Sequence, residues 1–209
     1  MENNICYTAI IGNYDNLIEV EKQEGWRYIC FTDLDLKSDT WEIIKVNEEN
    51  IDNKLCRKIK LLPHKYLPNH DFSLWIDGNL SIECYLNKFL IYDYCLMKHP
   101  ERDNIFEEAS ICIEAQRDNI DTITKQIEKY KSITGFFSGL NATGILARKN
   151  TIKNIDFNEK WWNEVKEHSR RDQISFSFLA HIEQFEFNSI EFLEGFIWNE
   201  HLKGDLCIK

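Results

Sequence analysis

An Asp-Gly-Asn turn, Asp77-Gly78-Asn79, is the segment whose residue types indicate chemistry most directly. It follows the apolar run Phe72–Ile76. Both oxygen-bearing side chains can turn toward one hard cation, such as Mg²⁺ or Mn²⁺, because the residue between them has no Cβ. The same turn also fits a β-hairpin with Leu80–Leu86 as the returning strand, since Asp-Gly between apolar runs is a strong hairpin signal. The turn alone leaves both interpretations open.

Basic residues precede this turn in an otherwise acidic chain. Arg57, Lys60 and His64 are spaced i, i+3 and i+7, which predicts one face of a helix. Cations in such a row can neutralise a diphosphate, and Arg binds phosphate oxygens with two parallel hydrogen bonds. Other candidate residues for phosphate or acceptor binding are Lys98, His99, Arg102, Asp103, Arg170 and Arg171. Each cluster alone fits a solvated helix face, but together with the turn they favour a site for an anionic ligand.

Polar residues also follow two other predicted strands. Gly12, Asn13 and Tyr14 form a turn in which the glycine lets a ligand approach the backbone and the tyrosine can stack on a flat ring. Asp33 follows the next strand and can accept hydrogen bonds from a base or a ribose. Ordinary turns explain both segments equally well.

Short segments rich in β-branched and aromatic residues alternate with segments of helical periodicity, which predicts an α/β sandwich in one continuous domain. The predicted strands are Ile5–Ile11, Trp26–Thr32, Trp41–Val46, Phe72–Ile76 and a further strand within Phe136–Ala147. The predicted helices are Ile51–Leu62, Asp103–Ala115, Ile120–Tyr130, Thr151–Val165 and Asp172–Ile182. In an open α/β sheet the ligand sits beyond the carboxyl ends of the strands, where the turns described above are expected.

The composition narrows the class of protein. The chain has 209 residues, 43% of them hydrophobic, and a net charge of −10. This hydrophobic content excludes a disordered chain, and the negative field disfavours nucleic acid and anionic lipid as partners. No apolar run approaches the roughly 20 residues of a membrane span. The seven cysteines are scattered without a C-x-x-C pair, which predicts buried thiols and, with no signal peptide expected, a cytoplasmic location.

Three segments together resemble a known family. They are Cys56–Asn79, Lys98–Asp103 and Ser169–Gln173, and they resemble the glycosyltransferase-like family catalogued as domain of unknown function 616, which has plant members linked to cell-wall polysaccharide and many bacterial members. The resemblance extends from Tyr7 to about Phe178. At a greater distance, the order of parts is similar to glycosyltransferase family 8, a metal-dependent GT-A group. The resemblance implies a GT-A-like (Rossmann-type) mixed sheet flanked by helices.

The resemblance also implies roles for individual residues. Asp77 and Asn79 occupy the Asp-x-Asp position that bridges a metal, Mn²⁺ or Mg²⁺, to the donor diphosphate, with Asn79 replacing the second aspartate. Asp172 and Gln173 match the pair beside the reacting sugar carbon. His201 matches a third metal ligand, although a surface histidine in a terminal tail explains it equally well. The donor-binding residues expected are Gly12, Asn13, Tyr14, Asp33, Arg57, Lys60, His64, Asp77, Gly78, Asn79, Asn141 and Lys203.

The expected activity is therefore transfer of a sugar from a nucleoside diphosphate sugar, with uridine diphosphate as the expected carrier, to a glycan or another hydroxyl acceptor in polysaccharide synthesis. Residues 1 to about 100 are expected to bind the nucleotide sugar and residues from about 101 to 209 to face the acceptor. Two alternatives remain: a metal-dependent hydrolase, and a non-catalytic module that binds nucleotide sugars or glycans. Asp172 and Gln173 argue against the module but could also cap a helix. Retention or inversion at the sugar carbon stays open.

Overall fold

A mixed β-sheet of seven strands forms the centre of the computed structural model, which describes residues 3–46, 54–135 and 138–201. The strands are β1 (Asn4–Ile10), β2 (Trp26–Thr32), β3 (Glu42–Lys45), β4 (Phe72–Ile76), β5 (Leu80–Ile82), β6 (Tyr94–Lys98), β7 (Asn141–Lys149), β8 (Asn188–Ile190) and β9 (Phe196–Trp198). The order in the large sheet is β3-β2-β1-β4-β7-β6-β8, and β5 pairs with β9 in a separate ribbon. The predicted α/β fold with a mixed sheet is confirmed.

Strand direction decides which loops meet at each edge of the sheet. β1, β2, β3 and β4 are parallel, whereas β7 is antiparallel to both β4 and β6. The carboxyl ends of β4 and β6 therefore lie at the same edge as the amino end of β7. In open sheets of this kind the carboxyl edge of the parallel strands is the usual ligand-binding side.

Helices cover the sheet, and their ends follow local sequence signals. They are α1 (Leu55–Leu61), α2 (Pro63–Tyr66), α3 (Ile105–Glu114), α4 (Ile120–Thr134), α5 (Ile152–Glu167) and α6 (Asp172–Ile182), and a 3₁₀ helix spans Leu86–Ile91. Asn104, Asn119 and Thr151 cap α3, α4 and α5 by accepting a hydrogen bond from a backbone N–H of the first turn. α1 and α2 are separate because Pro63 cannot continue α1 and starts α2.

The central strands are apolar on both faces because the sheet is covered on both sides. Every residue of β1 and β4 is buried, as expected for strands between two layers. Tyr7, Trp75 and Leu146 join α1, α5 and α6 in one core cluster. The opposite face packs against the 3₁₀ helix and the β5–β9 ribbon in a second cluster.

The structure decides one interpretation that the sequence left open and contains strands that the sequence did not predict. The hairpin interpretation of the Asp-Gly-Asn turn fails, because Leu80–Ile82 pairs with β9 and β4 pairs with β1 and β7. β6, β8 and β9 were not predicted. The predicted helix Ile51–Leu62 is described only from Leu55 onward, as residues 47–53 lie outside the described ranges.

Two further observations concern the chain as a whole. Among the described residues, no helix combines the length and apolar character that a membrane span requires. The six described cysteines are free thiols, and four of them are buried. It stays a prediction that residues 1 to about 100 bind the nucleotide sugar and that the later residues face the acceptor.

Candidate active site

Asp77 lies at the carboxyl end of β4 and is held from three sides. Its backbone N–H donates to the carbonyl of Gly144 on β7 (2.8 Å), and its Oδ1 accepts a hydrogen bond from Trp75 Nε1 (2.7 Å). The same oxygen lies 3.5 Å from Lys60 Nζ, and the side chain remains 29% exposed. Asp77 is therefore fixed in direction while part of its carboxylate can reach a ligand.

Gly78 packs closely against the end of β1. A Cβ placed on this residue would lie 2.4 Å from Cδ1 of Ile10, a distance that no real Cβ contact tolerates. A side chain at this position would therefore displace the end of the Ile10 side chain, so glycine lets the turn lie against β1 as it does.

A buried ion pair between Lys60 and Asp172 is the electrostatic centre of the site. Lys60 Nζ of α1 lies 2.6 Å from Oδ2 of Asp172, the first residue of α6, and both side chains are at most 5% exposed. Arg57 Nε lies 3.7 Å from the other oxygen of Asp172, and Thr143 Oγ1 accepts a hydrogen bond from Lys60 Nζ at 3.1 Å. The structure thus brings Arg57, Lys60, Asp77 and Asp172 together.

The pKa of Asp172 reflects this arrangement. Burial by itself raises the pKa of a carboxyl group, but the charges of Lys60 and Arg57 outweigh burial and lower the pKa of Asp172 to about 2. Asp172 is accordingly ionised at neutral pH, and a carboxylate with so low a pKa is a weak base.

Arg148 and Tyr7 bind the backbone carbonyl of Lys60, and neither residue was singled out in the sequence. The Lys60 carbonyl belongs to the last turn of α1, where carbonyls lack helical partners. It accepts hydrogen bonds from Tyr7 Oη (2.7 Å) and Arg148 Nη2 (2.8 Å). Arg148 is 1% exposed. An arginine near the end of a strand ordinarily suggests a solvent-facing residue, so the sequence carried no signal for this buried position.

Asn79 is buried and leaves one oxygen without a protein partner. Its Nδ2 donates to the carbonyl of Asn199 (2.9 Å), which fixes the orientation of the amide. Its Oδ1 is buried and has no hydrogen-bond partner among the described residues. An unpaired buried oxygen is costly unless a further group occupies the space in front of it.

His201 lies beside Asn79, on the segment that follows β9. Its Nδ1 faces the Asp15 carboxylate at 2.8 and 3.0 Å, so Nδ1 must carry the proton and donate it. Its Nε2 lies 3.5 Å from Asn79 Nδ2. Metal-ligating histidines commonly have a carboxylate at the ring nitrogen that does not bind the metal.

The donor set fits a divalent cation, provided that a ligand completes it. Asp77 and Asn79 could supply hard oxygens, which suit Mn²⁺ or Mg²⁺, and His201 could supply an imidazole nitrogen, which suits Mn²⁺ better than Mg²⁺. The part of the chain that the structure describes contains no group of three or more His, Cys, Asp or Glu side chains that could hold a metal. The protein alone therefore offers few charged ligands.

The turn after β1 lies close to the end of β2, as the sequence predicts. Gly12 N–H donates to Asp33 Oδ1 at 2.9 Å. Gly12 and Asn13 both have positive φ angles, +65° and +55°, which the glycine adopts without strain. The Tyr14 ring packs against the His201 ring at 4.9 Å between centroids, so this turn and the segment after β9 are in contact.

Gln173 belongs to a second buried cluster, centred on Glu108 of α3. Glu108 is 2% exposed and accepts hydrogen bonds from Gln173 Nε2 (2.7 Å) and Arg102 Nε (2.8 Å). Arg171 Nη2 lies 3.6 Å from the same carboxylate. Burial raises the pKa of Glu108, but Arg171 and Arg102 outweigh burial and lower it below its ordinary value. This cluster fixes the start of α6, where Asp172 and Gln173 lie.

Several predicted site residues have other partners in the structure. His64 does not share a face with Arg57 and Lys60, because α1 ends at Leu61; its Nε2 lies 2.8 Å from Glu159 Oε1 of α5. Arg170 donates to the carbonyl of Arg117 at 3.0 Å.

The remaining predicted residues lie near β6 and β8, except for one that lies outside the described residues. Lys98 Nζ pairs with Glu191 Oε1 (2.5 Å) and Asn141 Oδ1 accepts from Ser189 Oγ (2.7 Å). The His99 ring approaches Glu108 at 3.7 Å. Asp103 lies exposed in the segment between β6 and α3. Lys203 lies outside the described residues.

Comparison with known proteins gives the family. Residues 1–194 match the model of the TOD1/MUCI70 glycosyltransferase-like domain. The chain belongs to this family. The match covers β1 to β8 and all of the predicted site residues except His201 and Lys203, so the prediction of a glycosyltransferase-like family is confirmed.

Two curated relatives come from Arabidopsis thaliana. A "Probable hexosyltransferase MUCI70" is 32% identical over 195 residues, which cover 84% of this chain and 32% of the relative. An "Alkaline ceramidase TOD1" is 25% identical over 166 residues, 69% of this chain and 36% of the relative. The chain thus spans about a third of the length of these relatives. The crystal structure of the apo-form glycosyltransferase GlyE from Streptococcus pneumoniae TIGR4 matches with a TM-score of 0.46 and 11% identity over 91% of this chain and 45% of that chain.

Proposed function

We propose that the chain is a GT-A-type glycosyltransferase that uses a nucleoside diphosphate sugar, with uridine diphosphate as the carrier, and a divalent cation. The family supports glycosyl transfer. The single observation that carries the finer proposal is the meeting of Lys60, Arg57 and Asp172 beside Asp77 at the carboxyl edge of the sheet.

The diphosphate is proposed to bind between the end of β4 and α1. There the Lys60 ammonium and the Arg57 guanidinium can contact its oxygens, since each group already lies within 4 Å of a carboxylate oxygen at this edge. A diphosphate oxygen would add to those contacts, because Lys60 and Arg57 must stay beside Asp172 to keep it ionised. Asp77, Asn79 and His201 would hold the cation, which, when bound, neutralises charge on the diphosphate.

In the reaction, the bond between the sugar carbon and the diphosphate oxygen breaks and its electron pair leaves with the diphosphate. The acceptor hydroxyl forms the new bond to carbon, and its proton passes to the departing diphosphate or to water. Lys60 and Arg57 stabilise the negative charge that develops on the leaving oxygen, an effect of several kcal/mol in comparable sites. Asp172 stays ionised and stabilises positive charge on the sugar. Its low pKa makes it a poor acceptor for the hydroxyl proton.

The test is thermal stabilisation by uridine diphosphate with and without Mn²⁺. A ligand present at about 100 times its Kd adds about 2.7 kcal/mol to the free energy of unfolding. We expect this stabilisation in the native chain with Mn²⁺ and its loss in Asp77→Ala. Asp71→Ala is the matched control, because Asp71 is an exposed aspartate at the opposite end of β4. Absence of stabilisation in the native chain, or equal stabilisation of both variants, contradicts the proposal.

A hydrolase is the second candidate, because one relative is named an alkaline ceramidase. Such an enzyme would release a fatty acid from a ceramide without any nucleotide, whereas the proposed transferase would release nucleoside diphosphate from a nucleotide sugar. Mass spectrometry of the two reactions distinguishes them. Fatty-acid release that persists in Asp77→Ala without added nucleotide would place hydrolysis in a different site from the one proposed for the diphosphate.

A further inference from the structure

A cleft of about 530 Å³ lies where β6 ends and β7 begins, outside the Lys60–Asp172 pair. Its volume falls within the range of roughly 300–1,000 Å³ that is typical of small-ligand sites. The segment from His99 to Asp103 forms one rim, and β8 forms the opposite one. The side chains used below are those of Lys98, Arg102, Asn141, Phe187 and Ser189.

The cleft is joined to Asp172 along β7. Thr143 accepts a hydrogen bond from Lys60, whose Nζ lies 2.6 Å from Asp172. Asn141 lies two residues before Thr143, and side chains two residues apart on a strand leave the same face of the sheet. Asn141 in turn accepts a hydrogen bond from Ser189 of β8 at 2.7 Å. One strand therefore runs from the buried ion pair into the cleft.

A second, independent connection passes through α3. Gln173, the neighbour of Asp172, donates to Glu108 at 2.7 Å, and Arg102 in the cleft wall donates to the other oxygen of Glu108 at 2.8 Å. The start of α6 and the rim of the cleft are thus fixed by the same buried carboxylate. Arg102 and Glu108 therefore connect the cleft to Gln173, the neighbour of Asp172.

The charges around the cleft disfavour an anionic occupant. Among the described lining residues the cations are Lys98 and Arg102, and both are paired, Lys98 with Glu191 at 2.5 Å and Arg102 with Glu101 at 2.9 Å and Glu108 at 2.8 Å. Burial lowers the pKa of His99, which leaves this ring neutral at pH 7. The carboxylates that line the cleft or pair with its cations are Glu101, Asp103, Glu108 and Glu191.

The polar groups suit hydroxyl groups instead. Asn141 and Ser189 offer an amide and a hydroxyl, and the half-buried Phe187 offers an apolar face of the kind on which sugar rings lie. Carboxylates accept hydrogen bonds from hydroxyls without a charge penalty. An acidic sugar would instead meet the Glu101 and Asp103 carboxylates, while both cations of the lining are already paired.

We propose that this cleft binds the acceptor and that the acceptor is a neutral oligosaccharide; this inference rests on the proposed transferase function. The reacting hydroxyl would enter from the cleft past Asn141 toward the sugar held beside Asp172. The donor diphosphate and the acceptor then approach one another along the same edge of the sheet.

The experiment fills the cleft without touching the donor site. In Ser189→Trp the indole occupies the cleft, and in Asn188→Trp, the matched control, the adjacent exposed β8 side chain leaves the opposite face of the sheet. Binding is measured by saturation-transfer difference NMR with a panel of neutral tetrasaccharides of different linkage and with tetragalacturonate as the acidic probe. Binding of uridine diphosphate with Mn²⁺ is measured by calorimetry on the same samples.

We expect at least one neutral tetrasaccharide to bind the native chain and Asn188→Trp, and to bind Ser189→Trp at least tenfold more weakly, while the affinity for uridine diphosphate is the same in all three. Undiminished tetrasaccharide binding to Ser189→Trp, preference for tetragalacturonate, or no binding of any neutral probe overturns the inference and leaves the proposed function intact. Failure of uridine diphosphate to bind the native chain counts instead against the proposed function.

Discussion

Replacing Lys60 by Met tests how much the buried ion pair with Asp172 contributes to the free energy of unfolding. Lys60 is 1% exposed and its Nζ lies 2.6 Å from Asp172, so the substitution leaves a carboxylate buried with Arg57 at 3.7 Å as its nearest cation. Removing one partner of a buried pair costs about 3–5 kcal/mol. Because Arg57 remains beside Asp172, we expect a loss at the lower end, about 3 kcal/mol of the free energy of unfolding.

Lys65→Met is the matched control on the neighbouring helix. Lys65 Nζ lies 2.5 Å from Glu159, a distance as short as that of the buried pair, but the lysine side chain is half exposed. Exposed pairs contribute about 1 kcal/mol or less because water and salt screen them. The two variants therefore separate the effect of burial from the effect of distance.

Urea denaturation at pH 7 gives both free energies, and an unchanged slope with denaturant shows that the unfolded state is comparable. Adding Asp172→Asn completes a double-mutant cycle in which the two substitutions should be coupled by more than about 1 kcal/mol. A Lys60→Met loss no larger than that of Lys65→Met, or additive losses in the cycle, would refute the reasoning.

Three further predictions follow from the site. Because the pKa of Asp172 is lowered from 3.8 to about 2, its stabilisation of about 2 kcal/mol is present above pH 4 and is lost as the pH falls toward 2; urea midpoints should show this loss in the native chain and not in Asp172→Asn, and identical profiles would argue against the ion pair. Asn79→Asp should raise the affinity for Mn²⁺ without nucleotide at least tenfold by calorimetry, since it adds a charged oxygen ligand; an unchanged affinity would remove Asn79 from the metal site. Arg148→Met should lower the free energy of unfolding by about 2 kcal/mol, because the Lys60 carbonyl loses a charged donor; an unchanged urea midpoint would mean that Arg148 does not hold the end of α1.

The strands β1, β2, β3 and β4 and the turn at Asp77 could be predicted because their signals are local. Phe72–Ile76 is a short apolar run that ends in a turn, and it is buried as β4 as expected. Asp172 and Lys60 were separate candidates in the sequence, and the topology brings them to one edge. Asp172 is the first residue of α6 and was singled out through the family resemblance.

Other features depend on contacts that a sequence does not display. The pairing of β5 with β9 joins residues more than a hundred positions apart. The sequence therefore left a hairpin open as one interpretation of the Asp-Gly-Asn turn. His64 does not lie on the helix face of Arg57, because Pro63 begins a new helix. Glu108 gathers Arg102 and Gln173 from distant segments, and a glutamate in the first turn of a helix more often interacts with the helix dipole.

A crystal structure with uridine diphosphate and Mn²⁺, with the metal located by its anomalous scattering, tests the central claim most directly. The account predicts the metal between Asp77 and Asn79 and the diphosphate in contact with Lys60 and Arg57. A metal or a diphosphate bound away from the carboxyl end of β4 would contradict it.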